Sequence, residues 1–329
     1  MDRLSLERRQ VWIYLAAIVG GLWLGTVAPG VGPRFEVLLW PVLAALLYTT
    51  FVQVPLLHVR DAFRDGRFVL AILLGNFLLI PLLVWLALQA LPDNPALHLG
   101  VLLVLLVPCT DWFITFTQLG RGNTARAIAV TPLNLLLQLL LLPVYSWLML
   151  PAADFSAALK IEEMLPAALL LIGFPLAAAA LTERWVEARP ERTVWRERLG
   201  WWPVPLLAVV VFLIASAQVG TVLDAGPVLL TVLPVFVGFL LVAALLARGL
   251  ARWLRLPGDA GRTLAFSFGT RNSFVVLPLA LGLPAGWETT VVVIVFQSLV
   301  ELLGMVLYLW WLPRWLFPSD PTTVRRVPR

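Results

Sequence analysis

Residues 98–119 read HLGVLLVLLVPCTDWFITFTQL, an apolar stretch long enough to span a bilayer, with Pro108-Cys109-Thr110-Asp111 at its centre. Residues 263–283, TLAFSFGTRNSFVVLPLALGL, carry Thr270-Arg271-Asn272-Ser273 in a similar apolar frame. Proline cannot donate the amide hydrogen that continues a helix, and unwound backbone in hydrocarbon must be satisfied by protein or a water-filled cavity. We therefore predict two interrupted membrane helices that meet at a shared site. Two loops at the membrane surface are the alternative.

The composition around these stretches excludes a soluble globular domain. Hydrophobic residues make up 60% of the chain, charged residues 13%, and the mean hydropathy is +0.91. Soluble domains carry about 25% charged residues, which cover the surface that faces water. The chain is therefore predicted to be an all-α integral membrane protein.

Ten apolar stretches have the length of a membrane span, which is about 20 residues. Pro- and Gly-rich connectors separate them and leave no room for a soluble domain. The predicted spans are 11–29, 36–56, 68–91, 98–119, 123–149, 163–182, 200–220, 226–247, 263–283 and 286–316.

The basic residues give these spans a direction. With the N-terminus inside, 21 of the 24 Lys and Arg residues fall on cytoplasmic segments, and only Arg34 and Lys160 fall outside. Cytoplasmic loops are enriched in Lys and Arg, so we expect both termini to be cytoplasmic in a cell inner membrane. The net charge of +5 then reflects membrane orientation, with a juxtamembrane basic face that touches anionic lipids as its consequence, and nucleic acid is not a predicted partner.

Five spans in each half would place a duplicated half upside down relative to its twin. Asn134, Gln138 and Tyr145 match Gln297, Glu301 and Tyr308 at an offset of 163 residues. Asp111 and Phe113 match Asn272 and Phe274 at an offset of 161, the difference being a slightly longer loop. We predict a first five-helix repeat over 1–150, a sixth helix and cytoplasmic loop over 151–199, the remaining second repeat over 200–316, and a cytoplasmic tail over 317–329. Inverted repeats with interrupted helices at the midplane are typical of secondary transporters.

Three charged residues lie within predicted spans: Asp111, Arg271 and Glu301. Intramembrane charges are costly and mark functional sites, so these three are the candidates for proton coupling or gating. Glu301 has no basic residue one helical turn away and is the candidate proton carrier. Asp111 and Arg271 either take part in coupling or neutralise each other as a structural lock between the halves.

Neutral polar residues complete the candidate site. The predicted substrate contacts are Cys109, Thr110, Asn134, Gln138, Asn272 and Gln297. Asn76 and Gln53 are secondary candidates, and each is equally an interhelical hydrogen bond. Cys109 is the only cysteine, and it is either a small apolar side chain or a contact for a thiophilic solute.

Motifs for catalysis, cofactor binding or metal binding are not evident in the sequence, so neither an enzyme nor a metal site is predicted. The predicted partner is a small-molecule or metalloid substrate. A membrane sensor is disfavoured because the largest predicted inside loop is only 183–199.

The run from Pro108-Cys109 through Thr117-Gln118-Leu119-Gly120-Arg121-Gly122-Asn123 resembles the arsenite permeases of the bile/arsenite/riboflavin transporter superfamily. Further matching segments lie in the same order along nearly the whole chain: Leu47-Tyr48, Gln53-Val54, Asn76-Phe77, Pro81, Asn134, Gln138, Val144-Tyr145, Asn272-Ser273-Phe274 and Leu299-Val300-Glu301. The resemblance implies ten helices in two inverted five-helix repeats, with discontinuous, crossing fourth and ninth helices. It also implies a required cysteine at Cys109, a required glutamate at Glu301, and arsenite or antimonite efflux in exchange for protons.

The chain also departs from these relatives. Val275 stands where they carry a glutamate, Pro108 where they carry a basic residue, and Asp111 and Arg271 are atypical charges. In the sodium symporter branch the sodium ligands of the fourth helix fall at Phe113 and Ile114, whose side chains have no oxygen for a hard cation. The leading hypothesis is an arsenite exporter working by proton antiport. The alternative is a sodium- or proton-coupled symporter of an organic anion, bile-acid-like or pantoate-like, that uses Arg271 for the carboxylate.

Overall fold

A computed structural model describes residues 3–28, 30, 32–110, 112–151, 169–217 and 219–318. The described chain is helical, and its only β-type pairing is a single bridge between Pro108 and Arg271. The α-helices are, in chain order, α1 Arg3–Val27, α2 Gly32–Phe51, α3 Gly66–Leu74, α4 Ile80–Gln89, α5 Pro95–Leu106, α6 Trp112–Leu119, α7 Thr124–Met149, α8 Phe174–Glu187, α9 Thr193–Leu199, α10 Pro203–Ala217, α11 Val219–Asp224, α12 Gly226–Trp253, α13 Gly258–Gly269, α14 Ser273–Leu281 and α15 Glu288–Trp311. Shorter 3-10 segments span Leu56–Arg64 and Pro190–Arg192, and π-helical segments span Gly75–Leu79, Leu169–Gly173 and Leu312–Leu316.

Within the described residues, six helical stretches are long and apolar enough to cross a membrane, judged by length and composition. They are 34–51, 66–89, 124–149, 190–217, 226–253 and 288–316, and two shorter apolar helices span 12–27 and 95–106. The predicted fourth and ninth spans are each divided into two helices, α5 with α6 and α13 with α14. The first part of the predicted sixth span, the tail beyond 318 and Asp111 lie outside the described residues.

The surface of the molecule carries many exposed large apolar side chains. Trp12, Leu140 and Leu230 are 73%, 68% and 72% exposed. A soluble monomer rarely leaves so much apolar surface open to water, whereas lipid tails solvate it. The outer helix faces are thus suited to a bilayer.

Small residues allow α1 and α10 to pack closely. A β-carbon added at Gly21 or Gly25 of α1 would lie 2.5 Å from the main-chain oxygen of Phe212 or Ser216 in α10. This Gly-x-x-x-Gly spacing permits the near contact of backbones that drives helix association in membranes.

Side-chain caps determine where several helices begin. Asp65, Asn94, Asn123 and Asn272 each accept a hydrogen bond from the main-chain amide three residues later, at the starts of α3, α5, α7 and α14. Such caps satisfy amides that have no partner inside the helix. Asn272 therefore ends the second break by starting α14.

Candidate functional site

The two helix breaks lie against each other and are joined through their backbones. The Cys109 amide donates to the Thr270 carbonyl at 3.1 Å, and the Asn272 amide donates to the Val107 carbonyl at 2.7 Å. These bonds flank the antiparallel bridge between Pro108 and Arg271. Because the paired segments satisfy each other, unwound backbone is stable deep inside the protein.

Side chains add to this junction. The Asn272 amide donates to the Thr110 hydroxyl at 3.1 Å, and both residues are buried. Cys109 is 2% exposed and packs within the apolar core. The junction therefore brings together Cys109, Thr110 and Asn272 from the predicted set.

Glu301 of α15 contacts the second break. Its Oε2 accepts hydrogen bonds from the Arg271 main-chain amide and from the Gln297 side chain, both at 2.9 Å. Its Oε1 is buried and has no hydrogen-bond partner among the described residues. Gln297 in turn accepts a long hydrogen bond, 3.5 Å, from the Ser273 hydroxyl. One oxygen of the carboxyl thus accepts two hydrogen bonds, and the other accepts none from the described residues.

The Arg271 side chain is buried and donates mainly to main-chain oxygens. Its Nη1 donates to Leu105 at 3.2 Å, and its Nη2 donates to Ser267 at 2.8 Å and Phe268 at 2.7 Å. Nη2 also contacts the Asn76 side-chain oxygen at 3.1 Å. Among the described residues no carboxylate lies within ion-pair distance of the guanidinium.

Asn76 reaches this site because it lies in the π-helical segment Gly75–Leu79. A π-bulge shifts the register of a helix and is frequent at functional sites. The Asn76 amide also donates to the Ser267 hydroxyl at 3.0 Å. The interhelical hydrogen bond considered for Asn76 therefore exists, and it lies at the site itself.

Asn134 and Gln138 of α7 are buried but have no hydrogen-bond partners in the described part of the chain. All four of their side-chain nitrogen and oxygen atoms are unsatisfied. A buried amide without a hydrogen-bond partner costs free energy. These four atoms are therefore donors and acceptors that the described part of the fold does not use.

Besides Asn134 and Gln138, two more predicted residues are not brought to the junction by the described contacts. Gln53 donates to the Arg196 carbonyl at 3.3 Å, and Arg196 donates back to the Gln53 carbonyl at 2.9 Å. Gln53 thus ties the end of α2 to α9. Asp111 lies outside the described residues, so its lock with Arg271 stays a prediction.

The predicted cytoplasmic segments meet at one end of the molecule, in a set of contacts that sequence inspection missed. Arg126 donates to Asp65 at 2.7 Å and lies 3.8 Å from Asp259, while Asn123 donates to Asp259 at 2.9 Å. These contacts join the starts of α3, α7 and α13. Their common signal in the sequence is a polar residue at a helix start directly before an apolar span.

One further group at this end has the chemistry of metal ligands. The His58 Nδ1 lies 3.5 Å from a carboxylate oxygen of both Glu183 and Glu187, and the three ligand atoms lie within 4.8 Å of one another. Burial raises the pKa of the Glu183 carboxyl above its ordinary value, and the hydrogen bond from the Leu57 amide opposes this. No metal site was predicted here, because His58 and Glu183 are distant in sequence.

These features define a class of protein: a helical, multi-pass membrane protein with two broken helices joined at a buried polar centre. Residues 40–225 match the model of the sodium bile acid symporter family, and the chain belongs to that family. It is therefore a membrane transporter, and its substrate is a small molecule.

Two individual proteins are also similar to this chain, at low sequence identity. The arsenical-resistance protein Acr3 of Corynebacterium glutamicum is 22% identical over 94% of this chain and 85% of that protein. The P3 protein of Bos taurus is 27% identical over 73% of this chain and 51% of that protein.

Proposed function

We propose that this protein exports arsenite, with antimonite as a second substrate, in exchange for protons across the cell inner membrane. The observation that carries the proposal is that a cysteine in the first break and a glutamate in contact with the second break belong to one junction. Cys109 flanks the backbone bridge from Pro108 to Arg271, and Glu301 accepts the Arg271 amide. The similarity to an arsenical-resistance protein supports the same substrate class.

The polar groups at the site suit a small neutral metalloid acid. Arsenous acid is uncharged near neutral pH, and its hydroxyl groups can pair with a few amides in otherwise apolar surroundings. Cys109 is a soft ligand for the metalloid, and Asn134 and Gln138 have unused donors and acceptors for its hydroxyls. A single thiolate contact permits release, which transport requires.

Glu301 is proposed as the proton carrier. Its Oε2 is held by two donors and its Oε1 has no hydrogen-bond partner among the described residues, so a proton can be bound and released there without breaking a bond inside the protein. Thr110, Asn272 and Gln297 are proposed to shape the site between Cys109 and Glu301. Asp111 and Arg271 are proposed to gate it.

The proposed architecture is ten spans in two inverted five-helix repeats, and a recurring offset of 163 residues supports it. Adding 163 to the bounds of α5, 95–106, gives 258–269, the bounds of α13. The same offset relates the two backbone bonds of the junction to each other. Adding 163 to Cys109 and Val107 gives the positions of Asn272 and Thr270, so the bond from the Cys109 amide to the Thr270 carbonyl corresponds to the bond from the Asn272 amide to the Val107 carbonyl. An antiparallel pairing that maps onto itself in this way is expected where a two-fold axis passes between two related segments.

A second pair of bonds follows the same offset. The Tyr145 hydroxyl donates to the Phe77 carbonyl, and the Tyr308 hydroxyl donates to the Leu240 carbonyl. Each member of the second pair is 163 residues after its counterpart. Between α6 and α14 the offset is 161, as in the sequence comparison of Asp111 with Asn272, because five residues separate α5 from α6 and three separate α13 from α14. In α7 and α15 the offset is 163 again.

The test is uptake into everted membrane vesicles, in which export from the cell becomes accumulation in the vesicle. We expect arsenite and antimonite to accumulate when the vesicle interior is acid, and a sodium gradient to have no effect. Vesicles that lack the protein are the control. The proposal fails if acid-inside vesicles take up no metalloid, or if uptake follows sodium alone.

Symport of an organic anion is the second candidate, and one observation favours it. The Nε of Arg271 is buried without a hydrogen-bond partner among the described residues, so a donor remains for a carboxylate. Under this alternative, Cys109→Ser leaves anion uptake unchanged. Under arsenite export, the same substitution removes metalloid transport.

A further inference from the structure

The Arg271 guanidinium lies between the carboxyl-terminal ends of α5 and α13. The last four carbonyls of a helix have no partner inside it, and Leu105, Ser267 and Phe268 belong to these terminal turns. Arg271 donates to all three, at 2.7–3.2 Å. Leu105 and Phe268 are also 163 residues apart, so one side chain bridges the corresponding carbonyls of the two half-helices.

The two helix ends by themselves offer negative charge for one cation, in addition to the Glu301 carboxyl that the Arg271 amide contacts. Each helix carboxyl terminus carries the equivalent of roughly half a negative charge, so two of them together present about one. A guanidinium supplies one positive charge, and its fork-shaped geometry can reach carbonyls on both helices at once. The Asn76 oxygen at 3.1 Å and the Phe239 ring, 5.4 Å from the guanidinium carbon, complete its surroundings.

In membrane transporters built from broken helices, unwound carbonyls and half-helix carboxyl ends are where coupling cations bind. Four oxygens surround the Arg271 guanidinium here, from Leu105, Ser267, Phe268 and Asn76. We infer that Arg271 is a tethered cation which permanently occupies this cation position, so that the junction needs no free metal ion. A small neutral residue at 271 would then convert the junction into a site for a free cation.

This inference deepens the proposed function, because it accounts for a transporter of this family that works without sodium. Its first test needs no transport and uses the purified full-length protein in detergent. The thermal unfolding midpoint of Arg271→Ala is measured in millimolar choline, sodium or guanidinium chloride. We expect the midpoint to fall by about 5 °C or more and to recover with guanidinium or sodium, but not with choline.

Two comparisons make this result specific. Wild type is expected to be indifferent to the choice of cation. Arg262→Ala is the matched control, since Arg262 also donates to two main-chain oxygens, of Arg121 and Phe317, but away from the junction. Its midpoint is expected to fall equally in sodium and choline. The inference is overturned if Arg271→Ala responds to cations no more than wild type or Arg262→Ala does.

If Arg271→Ala does not fold, two polar variants test the inference instead. Arg271→Lys keeps the charge and Arg271→Gln keeps only hydrogen-bond donors. A tethered cation predicts that Lys lies nearer to wild type than Gln in unfolding midpoint. The reverse order would show that the donors matter and the charge does not.

Asp111 offers a competing role for Arg271, and the double variant Asp111→Asn/Arg271→Ala separates the two. If Arg271 serves mainly to neutralise Asp111, removing both charges restores the midpoint without any added cation, and the inference is wrong. If Arg271 neutralises the helix ends, the double variant still requires the cation. A wild-type protein that transports no arsenite would refute the proposed function and leave this cation dependence unaffected.

Discussion

The two helix breaks share one backbone arrangement but differ in how their side chains are satisfied. At the second break, Arg271 and Glu301 are engaged by hydrogen bonds to carbonyls, an amide and a side chain. In the first half, the α7 residues Asn134 and Gln138, which match Gln297 and Glu301 at the offset of 163, have no hydrogen-bond partners among the described residues. The charged groups at the second break are therefore held by hydrogen bonds. The first half keeps amide donors and acceptors that are free to bind a solute.

A single residue type accounts for much of this difference. At the second break the Arg271 amide donates to Glu301. The residue at the corresponding position of the first break is Pro108, which has no amide hydrogen to offer Gln138, the counterpart of Glu301. In the proposed repeat, Glu301 is thus hydrogen-bonded, whereas its counterpart Gln138 has no partner among the described residues.

The largest expected effect on arsenite transport comes from neutralising Glu301, which contacts the second break. Glu301→Gln keeps the shape of the side chain but removes the group that we propose to carry the proton. Proton-driven arsenite uptake into everted vesicles is expected to fall by about 100-fold or more. Glu183→Gln, which alters another buried glutamate, is the control and should transport normally. Near-normal proton-driven uptake by Glu301→Gln would remove Glu301 from the coupling step.

The next effect is expected at the first break. Cys109→Ser replaces a soft sulfur by a hard oxygen and should lower the apparent affinity for arsenite by about 10-fold or more. Because Cys109 is the only cysteine, a thiol reagent can report on it directly in the wild-type protein. Arsenite is expected to slow labelling of Cys109 by a maleimide, measured by mass spectrometry. Labelling that proceeds at the same rate with and without arsenite would argue against direct contact.

A smaller effect, of opposite sign in the two halves, is expected for the buried amides. Gln138→Met removes an amide without a hydrogen-bond partner among the described residues, so the free energy of unfolding should rise by about 1 kcal/mol while arsenite affinity falls. Gln297→Met removes an amide that is bonded to Glu301 and should lower the free energy of unfolding instead. Thermal unfolding and vesicle uptake measure the two quantities. Destabilisation of equal size in both variants would mean that Gln138 is satisfied after all.

Much of this site follows from the sequence, and the rest depends on where helices end. Pro108 and the polar run at 270–273 predict the two breaks, and their meeting is confirmed by the backbone bonds. The partners of Arg271 could not be predicted, because main-chain carbonyls become available only at helix ends, which hydropathy does not locate. The approach of Asn76 depends on a π-helical segment, and the bonding of Gln53 to Arg196 depends on a loop path.

The smallest effect tests the role of Pro108 itself. Pro108→Ala supplies the missing amide hydrogen, which we expect to donate to Gln138 as the Arg271 amide donates to Glu301. Gain of that bond and loss of the rigidity of proline are each worth about 1 kcal/mol, so the net change in stability is near zero. The informative quantity is the coupling with Gln138→Met in a double-mutant cycle of unfolding free energies, expected at about 0.5–1.5 kcal/mol. Strict additivity of the two substitutions would mean that the absent amide is not what leaves Gln138 unsatisfied.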